Sequence, residues 1–430
     1  MTDDFNLQEE LLSLTSEPAL YHIPNELDPS SLSESQLDFH LSSAIESVVS
    51  DPGSIFHSTG ITFDVFRSIL KHADAPSVGG AVLTKTLDAI VSSLGQHTNA
   101  VLIMTSGGLA EEDVDAPMVH KAPLEMWAFL LQWFVVVAER GAGRSSSTEV
   151  PAKGKGAKKK PTKSNSAFVW SDHLPFVLPA MHRALRLPTS RIWRTTSERE
   201  TFVSCFVKPA YQVCESETHL KSQEVRLGVY KIICLAVKFH GHAFGAQTSI
   251  LQNLTYFEHL SEPMAELLAI LEKEFDYPQL AEEVLRDVAG KSFAHNDAKG
   301  PRSFSRFLVR FAELSPRVVM KQMALLLAHL DSEVSAHTNS SIRLMLMFVK
   351  AHPMRMAIIE IIGLLIKDIS ASDEGDEEQK KKQIKRYFEL LMERYLDLNS
   401  WVRSKVLTTW IKLCECVIHI TQLTEEAEGV

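Results

Sequence analysis

The feature that most constrains this sequence is a pair of apolar helical stripes that recurs in its C-terminal half with the same polar punctuation. Pro316 opens the first stripe, where a proline is tolerated because the first-turn N–H of a helix has no intrahelical partner. Val318, Val319, Met323, Leu326, Leu327 and Leu330 follow at helical spacing, and Asp331 marks a turn. The second stripe has Arg355 near its start and Ile358, Ile359, Ile362, Leu365 and Ile366 behind it. The same order returns further on. Tyr387, Leu390, Leu391 and Leu396 come first, then Asp397 and Asn399, then Val402 and Arg403, followed by Val406, Leu407, Trp410, Ile411 and Leu413. Glu224, Val225 and Arg226, followed by Val229, Ile232, Ile233 and Leu235, read as another second helix.

A helix pair of this kind buries its apolar face by stacking on further pairs. Paired helices of about 40 residues, with a turn aspartate and an early arginine in the second helix, are of HEAT type. The predicted fold class is all-α: a HEAT-repeat-type α-solenoid with a disordered basic linker. Because a solenoid grows by addition, a length of 430 residues does not imply two or three separate cores. Only 19 glycines and 18 prolines agree with helices rather than sheets. The turn aspartate can accept from the free N–H groups at the start of the second helix. The arginine can pair with the aspartate of its own or a neighbouring repeat. Asp331, Arg355, Asp397 and Arg403 are accordingly predicted to tie the stack together rather than to bind a ligand.

Three regions follow from the pattern. Residues 1–139 read as an N-terminal helical domain with an extended arm, in which Pro18, Pro24 and Pro29 interrupt short apolar pieces. Phe63, Phe66, Ile69 and Leu70 lie at helical spacing, as do Val82, Leu83, Leu87, Ile90, Val91 and Leu94. The stretch from Leu124 to Val137 is apolar nearly all round, which predicts a buried helix. Residues 140–166 mix Arg140, Arg144, Lys153, Lys155, Lys158, Lys159, Lys160 and Lys163 with Gly, Ser and Pro; nothing there can bury surface, so a disordered basic linker is expected. Residues 167–430 read as a HEAT-repeat domain, expected to be truncated and to carry an atypical insert near 334–350. Within it, the acidic run Asp373, Glu374, Asp376, Glu377 and Glu378, followed by Lys380, Lys381 and Lys382, reads as a solvated loop or as a phosphoregulated, partner-binding one.

A net charge of −10 is not that of a domain that binds duplex DNA over its whole surface, so any such contact must be local. Lys153, Lys155, Lys158, Lys159, Lys160 and Lys163 have three readings: a bare tether, a nuclear-localisation signal, or a sequence-independent contact to DNA phosphates. Cys205, Cys214, Cys234, Cys414 and Cys416 are odd in number and form no CxxC pair, as in a protein with reduced thiols. The first residues are acidic and lack the basic start and apolar stretch of a signal peptide, and no apolar run reaches the ~18 residues of a membrane span. A cytoplasmic or nuclear location is expected.

Catalytic chemistry has no foothold in the pattern. His240 and His242 form an HxH without a third ligand at metal-binding spacing, and Cys414 and Cys416 fall on different faces of one helix. The stretch from Lys153 to Lys160 lacks the phosphate-loop signature, Gly107-Gly108 has no fingerprint after it, and neither GxSxG nor HExxH occurs. No catalytic, cofactor-binding or metal-binding residue is assigned.

Longer strings are more specific. Residues 303–317 (SFSRFLVRFAELSPR), Lys321-Gln322, 329–333 (HLDSE), 354–363 (MRMAIIEIIG) and 397–407 (DLNSWVRSKVL) form a series. It resembles the N-terminal region of the condensin subunit 1 family, the HEAT-repeat regulatory subunits of condensin. The resemblance covers about residues 256–415, and the earlier part agrees in layout. It implies a subunit without an ATPase site, which binds the kleisin subunit and cooperates with the ATPase heads of the structural-maintenance-of-chromosomes subunits. Such a subunit acts on chromosomal DNA without sequence specificity during mitotic condensation. The implied location is nucleus and chromosome, with cytoplasm for part of the cell cycle. No membrane, cofactor or small-molecule substrate is implied. Another HEAT-repeat adaptor, such as a nuclear transport receptor, is the alternative.

Two departures stand out. The family runs almost directly from the HLDSE turn into Met-Arg, whereas residues 334–350 intervene here. A retained intron is one reading, since Val334-Ser335 can be encoded by a splice-donor sequence; a genuine insertion, with Ile342, Leu344, Leu346, Phe348 and Val349 to be packed, is the other. Family members also continue with many more repeats, so the sequence is expected to be a truncated part of such a subunit.

Overall fold

The computed structural model describes residues 5–56, 60–106, 116–146, 168–293, 297–327, 330, 352–372 and 376–428, leaving aside 17, 19, 30 and 298 and the side chains of 142–146 and 416–428. These residues form α-helices joined by turns and short 3-10 segments, with no strand among them. The fold is an all-α helical-repeat solenoid. Asp331, Lys153–Lys163 and the 334–350 insert lie outside the described residues. The helices gather into two compact units, Met1–Gly241 and His242–Val430.

Unit 1 contains α1 (Leu7–Ser16), α2 (Glu34–Ser50), α3 (Ile61–Lys71), α4 (Gly80–Ser106), α5 (Lys121–Ser146), α6 (Trp170–Ala184), α7 (Thr189–Ile192), α8 (Thr196–Glu215), α9 (Glu217–Leu220) and α10 (Gln223–His240). Helices α3, α5 and α8 form one row, α2, α4 and α6 a second, and α10 closes on both α6 and α8. Since α4 packs on α6 and α5 on α8, helices from both sides of the 140–166 segment share one unit. Helices α6 and α8 thus pack on α4 and α5 as well as on α10, and the division between units falls after Gly241.

The all-apolar stretch sits in α5. Leu124, Trp127, Ala128, Phe129, Leu130 and Leu131 are fully buried. By length and composition the segment Ala116–Gly141 would suit a membrane, but 72% of its apolar window is buried inside the unit. Its hydrophobicity is therefore accounted for by packing against α3, α4 and α8. The N-terminal arm is docked rather than free. Phe5 meets Phe63 edge-on at 5.5 Å, and Tyr21 meets Trp133 edge-on at 5.1 Å. The Asn25 main-chain and side-chain N–H groups both donate to Asp64 Oδ2, at 3.0 and 2.8 Å. Buried Arg67 pairs with Asp64 of the same helix and donates to the Tyr21 hydroxyl at 3.0 Å, so the arm adds hydrogen bonds to an ion pair that α3 itself supplies.

Unit 2 contains α11 (Ala243–Tyr256), α12 (Ser261–Phe275), α13 (Gln279–Ala289), α14 (Gly300–Leu314), α15 (Pro316–Leu326), α16 (His352–Ala371), α17 (Glu377–Arg394) and α18 (Ser400–Glu428). Helices α12, α14, α16 and α18 pack each on the next, while α11, α13 and α15 form the outer row. Small residues let the inner row close up. The Ser261 and Ser303 hydroxyls share a buried hydrogen bond of 2.9 Å between α12 and α14. A Cβ at Gly363 would stand 2.5 Å from Thr409 Cγ2, so α16 can approach α18 this closely only with glycine there.

Candidate functional site

The punctuating residues of the repeat meet in unit 2. Arg355, at the start of α16, reaches Asp397 in the turn before α18: Nη2 lies 3.3 Å from Oδ1 and Nε 3.3 Å from Oδ2. Both side chains are essentially inaccessible, at 1% and 0% exposure, so the charges of two successive repeats neutralise each other in the interior. Asp397 Oδ1 also accepts from the Asn399 N–H at 2.8 Å, and Asn399 Oδ1 accepts from the Trp401 N–H at 2.9 Å, which caps α18. Arg403 behaves differently from Arg355. Its Nη1 donates to the main-chain carbonyls of Asp397 (2.7 Å) and Leu398 (3.1 Å) and meets no carboxylate among the described residues. The two repeat arginines thus have distinct tasks, one across repeats and one within the turn.

On the surface of unit 2 charge is also matched helix to helix. Arg306 pairs with Glu258 at 3.0 Å, Arg310 with Glu266 at 3.3 Å and Glu313 at 3.1 Å, and Lys405 with Glu360 at 2.6 Å.

Unit 1 holds an unmatched surface that reading the sequence by motif does not reveal. From His173 to Ser197 there are four arginines and no acidic residue, in a chain whose net charge is −10. From Val225 to Gly241 the only charged residues are Arg226, Lys231 and Lys238. Folding places these two runs side by side, since α6 packs on α10, with Leu178 against Gly228 at 3.1 Å from its would-be Cβ. Arg183, Arg186 and Lys231 are exposed and form no ion pair among the described residues; Arg183 Nη1 donates to Asn99 Oδ1 of α4 at 3.1 Å. The imidazole of His182 lies among them, and burial, then Arg186, then Lys231 hold its pKa below the usual histidine range. The missed signal is the local absence of acids, which is visible in sequence but acquires meaning only when the two runs prove adjacent.

The remaining expected sites are bland. His240 Nε2 lies 2.6 Å from the Leu185 carbonyl, and burial lowers its pKa; it is a packed histidine at the end of α10. Among the described residues no group of three or more His, Cys, Asp or Glu is placed to hold a metal ion. Cys205 and Cys214 are fully enclosed, and burial pushes the Cys214 thiol up to about 12, far from thiolate chemistry.

Comparison with known proteins falls on these same helices. Residues 80–246, from α4 through α10 into α11, match the family described as non-SMC mitotic condensation complex subunit 1, N-terminal. The chain carries a condensin subunit 1 N-terminal region. Condensin complex subunit 1 of Schizosaccharomyces pombe is 36% identical over 286 residues, 66% of this chain and 23% of that protein. The Saccharomyces cerevisiae condensin complex subunit 1 is 31% identical over 297 residues, 69% of this chain and 24% of its own length. The Homo sapiens protein of the same name is 24% identical over 358 residues, 82% of this chain and 24% of its own. The chain thus spans about a quarter of the length of the curated relatives it matches. The cationic α6–α10 surface lies inside the matched region, whereas the Arg355–Asp397 pair lies beyond it.

Proposed function

We propose that this chain acts as a non-catalytic scaffold within condensin, in mitotic chromosome condensation in the nucleus and on chromosomes. The observation that carries this reading is the match of residues 80–246 to the condensin subunit 1 N-terminal family. In this role the stacked repeats present surfaces to the kleisin subunit and to the ATPase subunits, and supply no reaction of their own. DNA contact is assigned to its phosphates, without sequence preference, through Arg183, Arg186 and Lys231 and through the lysines at 153, 155, 158, 159, 160 and 163. The expected location includes the cytoplasm for part of the cell cycle.

The test is affinity purification of the tagged chain from intact extract. Recovery of kleisin together with two long coiled-coil ATPases is the expected result. Recovery of a transport GTPase instead would overturn the reading in favour of a nuclear transport adaptor, and ATP hydrolysis by the purified chain would overturn the non-catalytic role.

A further inference from the structure

The cationic surface of unit 1 is not uniform along its length. Helices α6 and α10 run side by side in the same direction: Leu178 meets Gly228, and further along the Leu185 carbonyl lies 2.6 Å from His240 Nε2. At the first end exposed carboxylates stand on both helices, Asp172 on α6 and Glu224 on α10. Toward the other end neither helix carries one. Arg183, Arg186 and Lys231 lie there, around His182. Helix α7 brings the exposed Arg191 to the same end, since Thr189 Oγ1 lies 3.5 Å from His240 Nδ1.

Each end also exposes a phenylalanine. Phe176, 46% exposed, precedes Arg183 by about two helical turns and shares the first end with Asp172 and Glu224. Phe239, 66% exposed, is the residue before His240 and so stands at the cationic end, about 12 Å along α10 from Lys231. A lone exposed aromatic needs no explanation. Its place beside unpaired cations is what selects a ligand. Duplex DNA satisfies the cations alone, because its bases are stacked on one another and leave no face for a protein ring. A single strand offers phosphates and open base faces together, and an aromatic beside cations matches both without reading sequence.

We propose that the α6–α10 surface takes single-stranded DNA, with Arg183, Arg186 and Lys231 on its phosphates and a base stacked on Phe239. This rests on the assignment of these cations to DNA phosphates, and it adds which form of DNA the surface distinguishes. The Phe239 contact is uncharged, so it contributes affinity without releasing counterions, whereas the cations set the salt dependence. Phe176, beside two carboxylates, stays off the path of the strand.

The test is anisotropy with fluorescein-labelled oligo-dT and with a duplex of the same length. Each is titrated against the full chain and against the chain lacking residues 151–163, so that the lysine-rich segment cannot mask the effect. Phe239→Ala is expected to weaken oligo-dT binding about tenfold, to leave duplex affinity within about twofold, and to leave both salt slopes unchanged. Phe239→Tyr, which keeps a ring, should retain oligo-dT binding, and Phe176→Ala should change neither ligand. Joint reversal of Arg183, Arg186 and Lys231 to glutamate should weaken both ligands and lower both slopes. All these positions are exposed, and unchanged circular dichroism confirms that the fold is kept. The proposal is overturned if Phe239→Ala leaves oligo-dT binding unchanged, if it weakens the duplex as much, or if Phe176→Ala weakens oligo-dT equally. In those cases a duplex response to the charge reversal still upholds the phosphate assignment. If neither ligand responds to the charge reversal, that assignment falls and this proposal with it.

Discussion

The two units use the same architecture, and both pair charges between elements, but one surface of unit 1 departs from that pattern. In unit 2 the inner row of helices neutralises itself: Arg355 with Asp397 in the interior, then Arg310 with Glu266 and Lys405 with Glu360 on the surface. In unit 1 the α6–α10 surface leaves Arg183, Arg186 and Lys231 without carboxylate partners among the described residues. Charge that is matched between neighbouring helices ties repeats together and has little left to offer a partner. Charge that is left unmatched contributes little to stability and attracts a polyanion instead. The contrast separates a stack-forming use of arginine from a binding use.

Breaking the buried pair should have the largest effect. Asp397→Ala leaves Arg355 charged in a site sealed from solvent, and should destabilise unit 2 by about 3–5 kcal/mol in chemical denaturation. Replacing both residues by apolar ones of similar size should recover much of that loss, because two buried desolvation costs vanish together. The close approach of α16 to α18 comes next. Gly363→Ala is expected to cost about 1–3 kcal/mol through its clash with Thr409, and Thr409→Ser, which removes the clashing Cγ2, should restore most of it.

The unmatched surface predicts the opposite profile. Joint reversal of Arg183, Arg186 and Lys231 to glutamate should change stability by no more than about 0.5 kcal/mol each, as surface substitutions do. In anisotropy with a DNA duplex, the same variant should bind more weakly and lower the salt slope by about 1 for each phosphate it no longer neutralises. A large stability loss with an unchanged slope would erase the distinction between the two surfaces. Deleting residues 151–163 in parallel apportions DNA binding between the folded surface and the lysine-rich segment.

Smaller effects sharpen the comparison at its margins. The Lys121 ammonium and the cap at Thr195 hold the Glu198 carboxyl down at about 2, against an ordinary value of 4.5. A depressed carboxylate stabilises the fold above its unfolded value and loses that contribution as pH falls from 4.5 toward about 2. The pair is partly exposed, so Lys121→Met should cost no more than about 1 kcal/mol at neutral pH, with the difference from the parent shrinking across that window. His97 and His120 give a second readout in unit 1. Their Nδ1 atoms lie 2.9 Å apart, and burial holds both pKa values below 6.5, with His120 further lowering that of His97. The stability that rests on their neutral forms is present above pH 6.5 and falls as the pH is lowered, which thermal unfolding from pH 7 to 5 should reveal.

Much of this was legible in the sequence. The stripes behind Pro316, Arg355 and Arg403 correspond to α15, α16 and α18, and the all-round apolar run beginning at Leu124 is the buried centre of α5. Helical periodicity, turn residues and caps act over a few residues, so they can be read without knowing what lies across the fold. The tertiary structure decided what is not local. It chose the following repeat as the partner of Arg355, gave Arg403 main-chain carbonyls instead of a carboxylate, and joined helices from both sides of the basic segment into one unit. It also set two acid-free runs beside each other. Each of these depends on which helices become neighbours, and that is settled by the packing of whole apolar faces rather than by any residue's immediate sequence context.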